Sequence, residues 1–385
     1  MERAGAEPEV RIALGVGADD LELGGGAALR VSAPDGALLA SLPAGTSARV
    51  RPRPGQVALA GTRAGGVEAP VMVVSAPAGG SVRLSGREYR GHLVLRRDRR
   101  GVTAVNVLPM EAYLLGVVGA ELGTRAPGDR EALRAQAIVA RTYALRNLGR
   151  WNADGFDLYA GVSDQVYGGL AAENEAVRSA VEGTRGQVVT YQGALVDAFF
   201  FSTCGGRTAN GTEAFRAADR PYLRSIVDAP PSGAAYCSVS PRFRWTERWT
   251  GEALANTLRR TVPSALQVSE SEIVPVRDVR VARQGPSGRV AQLVLQLRSR
   301  ELTVDGPLVR QVLRPPGGEL LRSTAVTLAT THEGGRVHQL VIEGRGAGHG
   351  VGFCQWGAIG RARAGQRAPE ILAAYYVGTT ITRRY

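Results

Sequence analysis

Residues 106–123 read NVLPMEAYLLGVVGAELG, and the passage from an extended run into a helix inside this stretch decides the fold class. Pro109 suits a first helical turn, where its missing N–H would be unpaired anyway, and Gly123 suits the end of the helix. At 100° per residue, counting from Met110, Leu114, Val117 and Val118 lie within about 80° of the start and Glu121 at about 20°, in the middle of that apolar stripe. A solvated glutamate belongs on the opposite face. A carboxyl on the buried face loses hydration and stays protonated toward neutral pH, as a general acid requires. The plainer reading is that Glu121, in the last turn, reaches solvent or pairs with Arg125 or Arg141.

Upstream, residues 9 to about 105 break into short β runs (VRIALGV, LRVSA, SARVRP, VMVVSA, SVRLSG, HLVLRR, VTAVNV) separated by Gly, Pro and Asp-Gly turns. Downstream the period turns helical, with helices expected at about 109–122, 129–148 and 173–183. Asp129 is placed to cap the second of these, and its polar residues Gln136, Arg141 and Thr142 need partners if that helix is buried nearly all round. Apolar strands (VVTYQG, LVDAFFFST), a Pro-rich loop around 228–242, a β-rich stretch, a glycine-rich loop from Gly344 and a helix at 368–376 follow. The expected architecture is α+β: an N-terminal β-rich domain over 1–95, then a mixed α+β catalytic domain over 96–385 with a β-rich subregion at about 243–343.

With 385 residues, 44% of them apolar, the chain can bury a sizeable core. No apolar run is long enough to span a membrane, and MERAGAEPEVRIALG lacks the basic start and apolar stretch of a signal peptide, so the sequence reads as cytoplasmic or as a trimmed mature form. The 47 basic residues are all arginine, a bias that base composition alone produces, which weakens any reading of the +12 net charge. The arginines are scattered, RRDRR at 96–100 being the densest cluster, and only 6% of residues are aromatic. A nucleic-acid platform of basic stripe and stacked rings is therefore not expected.

Five blocks now stand in order: NVLPMEAYLLGVVGAELG, ALRAQAIVARTYAL, SDQVYGG, FFFSTCGGRTA and GRGAGHGVGFCQWGA. Together they resemble the successive signature blocks of the SpoIID/LytB family of cell-wall proteins, over about residues 95–385. The resemblance implies a lytic transglycosylase that cuts peptidoglycan glycan strands already stripped of stem peptides, with the family's catalytic glutamate at Glu121. It equally admits a non-catalytic wall-binding protein that enhances a cell-wall amidase. Either role implies an extracytoplasmic place of work. Hydrolysis would demand a second carboxylate. Glu111, Asp164 and Asp197 offer none that is compelling, whereas a transglycosylase needs only one because the sugar's own 6-hydroxyl attacks.

Gln165, Tyr167, Ser202, Thr203 and Gln355 lie in these blocks and carry amides and hydroxyls that could hold sugars, and Trp356 could stack on a pyranose face. Each could equally serve the fold. His349, set among Gly346, Gly348, Gly350 and Gly352, is either part of a sugar-binding loop or a structural turn. Some family members bind zinc near the block that reads GVSDQVYGG here, using Cys and His; this chain has Ser163 and Asp164 there and no cysteine, so neither that metal nor any cofactor is expected. Of the three cysteines, Cys204 and Cys237 could form a disulfide in an oxidising compartment, leaving Cys354 a buried thiol; free thiols or a metal site are the alternatives.

Overall fold

Val102 to Leu108 are buried without a break, the mark of a strand covered on both faces. In the computed structural model, which describes residues 5–62, 65–123, 126–216 and 218–385, this strand pairs antiparallel with Glu9–Ala18 on one side and His92–Arg97 on the other. The seven-stranded sheet continues through Val71–Ser75, Leu29–Ser32 and Leu38–Leu42, and the short Leu158–Tyr159 runs parallel to Glu9–Ala18 at the opposite edge. A six-stranded antiparallel sheet is built from Arg87–Tyr89, Val82–Leu84, Leu21–Gly24, Ser47–Arg53, Gln56–Thr62 and Gly65–Ala69. Its strand Ser47–Arg53 alternates, with Ala48 and Val50 buried and Arg49 and Arg51 exposed, so only one face of it meets a core.

Helix α1 (Met110–Leu122) leaves the central strand directly and stops at Gly123, whose φ of 68° only glycine adopts freely and whose amide bonds Gly119 O at 2.7 Å. Helix α2 (Arg130–Arg146) follows; Asp129 occupies the capping position without a side-chain cap bond. Helix α3 (Glu175–Glu182) is capped by Asn174, which accepts from the Val177 amide at 3.0 Å. The chain then splits into two compact units: residues 1–190, 194–196 and 381–385 form the first, and residues 191–193 and 197–380 the second. This division falls elsewhere than the expected boundary at residue 95. The strand at 102–109 completes the sheet begun at 9–18, so the N-terminal strands and the α1–α3 helices are one unit.

The second unit contains α4 (Gly211–Ala214), α5 (Gly251–Leu266), α6 (Gly306–Val312), α7 (Gln355–Arg363) and α8 (Ala368–Tyr375). Two three-stranded sheets, Arg244–Thr250 with Arg336–Arg345 and Val326–Glu333, and Asp278–Gln284 with Val290–Gln296 and Glu301–Asp305, account for the β-rich stretch. Trp249, Leu254, Leu258, Leu293, Leu295, Leu340 and Ile342 share its core. The α+β class thus stands. Among the described residues no helix is long and apolar enough to cross a membrane.

Candidate active site

Helix α1 carries two glutamates with different surroundings. Glu111, in the first turn, is only 8% exposed and is gripped by Arg141 of α2, Nε to Oε1 at 2.8 Å and Nη2 to Oε2 at 2.6 Å. Tyr385 Oη donates to Oε1 at 2.7 Å and the Gly186 amide at 3.2 Å. Burial alone would push this carboxyl up, but the Arg141 guanidinium and the added donors outweigh it and hold it below the usual carboxylate range. Glu111 is an ionised cross-link between helices. Arg141, fully buried, also donates to Gln187 O and Val181 O, and Thr142 Oγ1 accepts from the Val189 amide at 2.9 Å, so these two polar residues of α2 find their partners within the first unit.

Glu121 sits in the last turn, half-buried, and its Oε1 accepts the Val166 amide at 2.8 Å. Glu121 does not lie on a single buried stripe as expected: α1 is buried on nearly every side, and Glu121 is one of the few positions that is not. Of its two proposed partners, Arg141 is engaged by Glu111 and Arg125 lies outside the described residues.

The segment holding Val166 reaches α1 because two positions on that helix lack side chains. A Cβ on Gly116 would meet the Tyr167 ring at 2.4 Å, and one on Gly119 would meet Ala172 O at 1.8 Å. The Gly168 amide bonds Gly116 O at 3.2 Å. Gln165 is fully buried, accepting from Tyr113 Oη at 3.1 Å, and Tyr167 is 3% exposed, donating to Asn106 Oδ1 at 2.8 Å. Asp164 accepts from Tyr143 Oη at 2.7 Å, Arg150 Nη1 at 3.0 Å and the Tyr159 amide at 2.9 Å. Gln165 and Tyr167, expected to contact sugar, are thus enclosed; their bonds anchor the segment that presents the Val166 amide. Glycines three apart on an apolar helix were the available signal for this close approach.

The remaining candidates belong to the second unit. Thr203 is fully buried, its Oγ1 2.8 Å from Ser240 Oγ, and Gln355 is 6% exposed, while Ser202 and Trp356 are half-buried. Ser202 O accepts the Trp356 amide at 3.0 Å. His349 Nε2 lies 2.8 Å from Phe200 O and Nδ1 accepts the Val351 amide at 3.2 Å. The rings of Phe199, Phe201 and Phe215 surround it, and desolvation pushes its pKa down to about 4. His349 thus bridges the backbone of its own loop, at Val351, to that of the strand carrying Phe200, as a buried neutral imidazole. Cys204 and Cys237, expected to form a disulfide, face each other in the second unit. All three cysteines are free and buried, and the two Sγ atoms stand 3.3 Å apart, against about 2.05 Å for a bond. Sequence reading missed Asp228, which is fully buried beside them.

A family model described as stage II sporulation protein matches residues 98–191, the segment from the central strand through α3. A domain of unknown function (DUF8618) matches residues 235–352. An uncharacterized protein of Brachyspira hyodysenteriae is 31% identical over 302 residues, covering 77% of this chain and 73% of its own. The stage II sporulation protein D of Bacillus subtilis is 28% identical, covering 72% of this chain and 76% of its own. The chain belongs to the SpoIID/LytB family. A further relative, the amidase enhancer of Bacillus subtilis, is 28% identical over 70% of this chain, which spans only 40% of that longer protein. The family match at 98–191 contains both glutamates of α1 and the Val166 segment.

Proposed function

We propose that the protein acts on the bacterial cell wall outside the cytoplasm, as a lytic transglycosylase on peptide-stripped peptidoglycan strands, with Glu121 as its acid and then its base. The observation that carries this reading is the contrast within α1. Glu111 is locked as an anion by Arg141, while Glu121 is half-buried and accepts the Val166 amide. The Val166 N–H fixes the direction of the carboxylate at the end of α1, as a group that must meet a glycosidic oxygen requires.

Glu121 would protonate the glycosidic oxygen as the bond to the muramic acid C1 breaks. The 6-hydroxyl of the same sugar then closes onto C1, and its proton returns to the Glu121 carboxylate. The products are a 1,6-anhydro-muramyl end and a free 4-hydroxyl, with no water consumed. The single-carboxylate scheme is supported by the placement of the other acids. Glu111 and Asp164 are both bound to internal partners, and Asp197 is paired with Arg220 in the second unit.

The test is incubation of pure protein with peptide-stripped glycan and mass analysis of the products. Anhydro ends are expected, and Glu121→Gln should keep glycan binding while cleavage falls at least about a hundredfold, about 2.7 kcal/mol of barrier. Reducing ends would mean that water attacks. The relative named amidase enhancer favours a second reading, binding without cleavage. Glycan binding with no product, together with amidase stimulation that Glu121→Gln leaves intact, would establish that reading in place of the first.

A further inference from the structure

Four buried side chains from four separate stretches of the second unit converge on one point. The Sγ atoms of Cys204, Cys237 and Cys354 and a carboxylate oxygen of Asp228 all lie within 4.8 Å of one another. Cys204 Sγ is 3.3 Å from Cys237 Sγ and 3.2 Å from Asp228 Oδ2. A tetrahedron with metal–sulfur bonds of about 2.3 Å has edges of roughly 3.8 Å, so the cluster has the dimensions of a coordination shell.

What surrounds the four groups favours anions. Backbone amides point at sulfur: Cys204 N at 3.1 Å and Gly357 N at 3.2 Å from Cys354 Sγ, and Gly206 N at 3.4 Å from Cys204 Sγ. Asp228 is oriented by Arg361 Nε on Oδ1 at 2.9 Å and Tyr375 Oη on Oδ2 at 2.9 Å, the carboxylate support expected behind a metal ligand. Arg289 supplies an independent sign. It is 3% exposed, donates one nitrogen to Cys204 O at 3.1 Å, and its Nε and Nη1 have no hydrogen-bond partner among the described residues. A buried guanidinium with unmet donors is costly unless negative charge faces it. Three thiolates and a carboxylate around one divalent ion leave two negative charges, which Arg289 and Arg361 would match.

We propose that Cys204, Cys237, Cys354 and Asp228 form a closed, tetrahedral structural site for zinc. Sulfur-rich tetrahedral ligation selects zinc among the common divalent ions, and four protein ligands with no open position make the role structural. The ion would tie the Pro-rich loop at 228–237 to the turn at Cys204 and to the start of α7, where Cys354 accepts the Gly357 amide. The site is independent of the transglycosylase reading, since it requires nothing of Glu121.

The test uses the wild-type chain purified without a histidine tag from zinc-supplemented cells. Elemental analysis should find one zinc per chain, released in step with capping of three thiols by an organomercurial. Replacement by cobalt should give the intense absorption of a tetrahedral thiolate site. Less than about a fifth of an equivalent of metal overturns the proposal, whether three thiols titrate freely or the intact mass shows two hydrogens lost to a disulfide. Cys354→Ser and Asp228→Asn should each lower zinc content or alter the cobalt spectrum in the fraction that folds. An unchanged spectrum in Asp228→Asn would overturn the ligand set.

Discussion

A single residue, Arg141, shows how burial converts a charge into a structural commitment. Its side chain is fully enclosed and its fork is matched to Glu111, so Arg141→Met should leave a buried carboxylate unpaired and cost about 3–5 kcal/mol, read by denaturant unfolding. Sequence spacing sets Glu111 about 80° from Glu121 around α1, but on a helix whose sides are nearly all apolar that difference does not say which is buried; their different fates depend on what surrounds each in the fold. His349 makes a second case. Its folded-state pKa of about 4 lies below the unfolded value of about 6.5, so the unfolded chain takes up the proton first as pH falls. Stability it contributes above pH 6.5 should be lost between there and pH 4, and His349→Gln should flatten that part of the stability profile. A profile unchanged by the substitution would show that the imidazole titrates like a free one.

Elements were legible where propensity and packing agree. Helices α1, α2, α3 and α8 and most of the N-terminal strands follow from period and turn signals, and the helix ends fall within a few residues of expectation. Helix α5 escaped because GEALANTLRRTVPSAL is weakly patterned and holds Pro263, and α7 because QWGAIGRAR is interrupted by glycines that another segment needs; a Cβ on Gly360 would meet Tyr236 O at 2.0 Å. In LVDAFFFST only Leu195, at the end of the strand Ala194–Leu195, and Phe200–Phe201 are in strands, since apolar content alone cannot tell a strand from a buried loop. The same close-approach logic gives a prediction for α1. Gly119→Ala raises helix propensity yet drives a methyl into the Ala172 carbonyl, so it should destabilise by about 1–3 kcal/mol rather than stabilise. Because that contact seats the segment bearing Val166, glycan cleavage per folded molecule should fall with it. Full activity in a stable Gly119→Ala protein would separate the segment from the site.

At the scale of the molecule, the first unit is completed by residues distant in sequence. Ile381–Tyr385 return to it, Arg384 O accepts the Gly5 amide at 3.1 Å, Arg384 N donates to Gly186 O at 2.9 Å, and Tyr385 reaches Glu111. Tyr385→Phe removes a hydrogen bond to a charged group and should cost about 1.5–3 kcal/mol. Deletion of 381–385 should cost more, and amide exchange should accelerate in α1 while the Leu293–Leu295 amides of the second unit keep their protection. This return has a consequence for synthesis. A ribosome adding about 5–20 residues per second needs on the order of ten to forty seconds to pass from Thr190 to Ile381. For that interval the emerged first unit holds Glu111 and Arg141 without Tyr385, while the whole second unit is still being made. The sheet of the first unit therefore waits for a closing segment that emerges only after residues 197–380, and a chaperone that shields nascent chains would find a long-lived target in it.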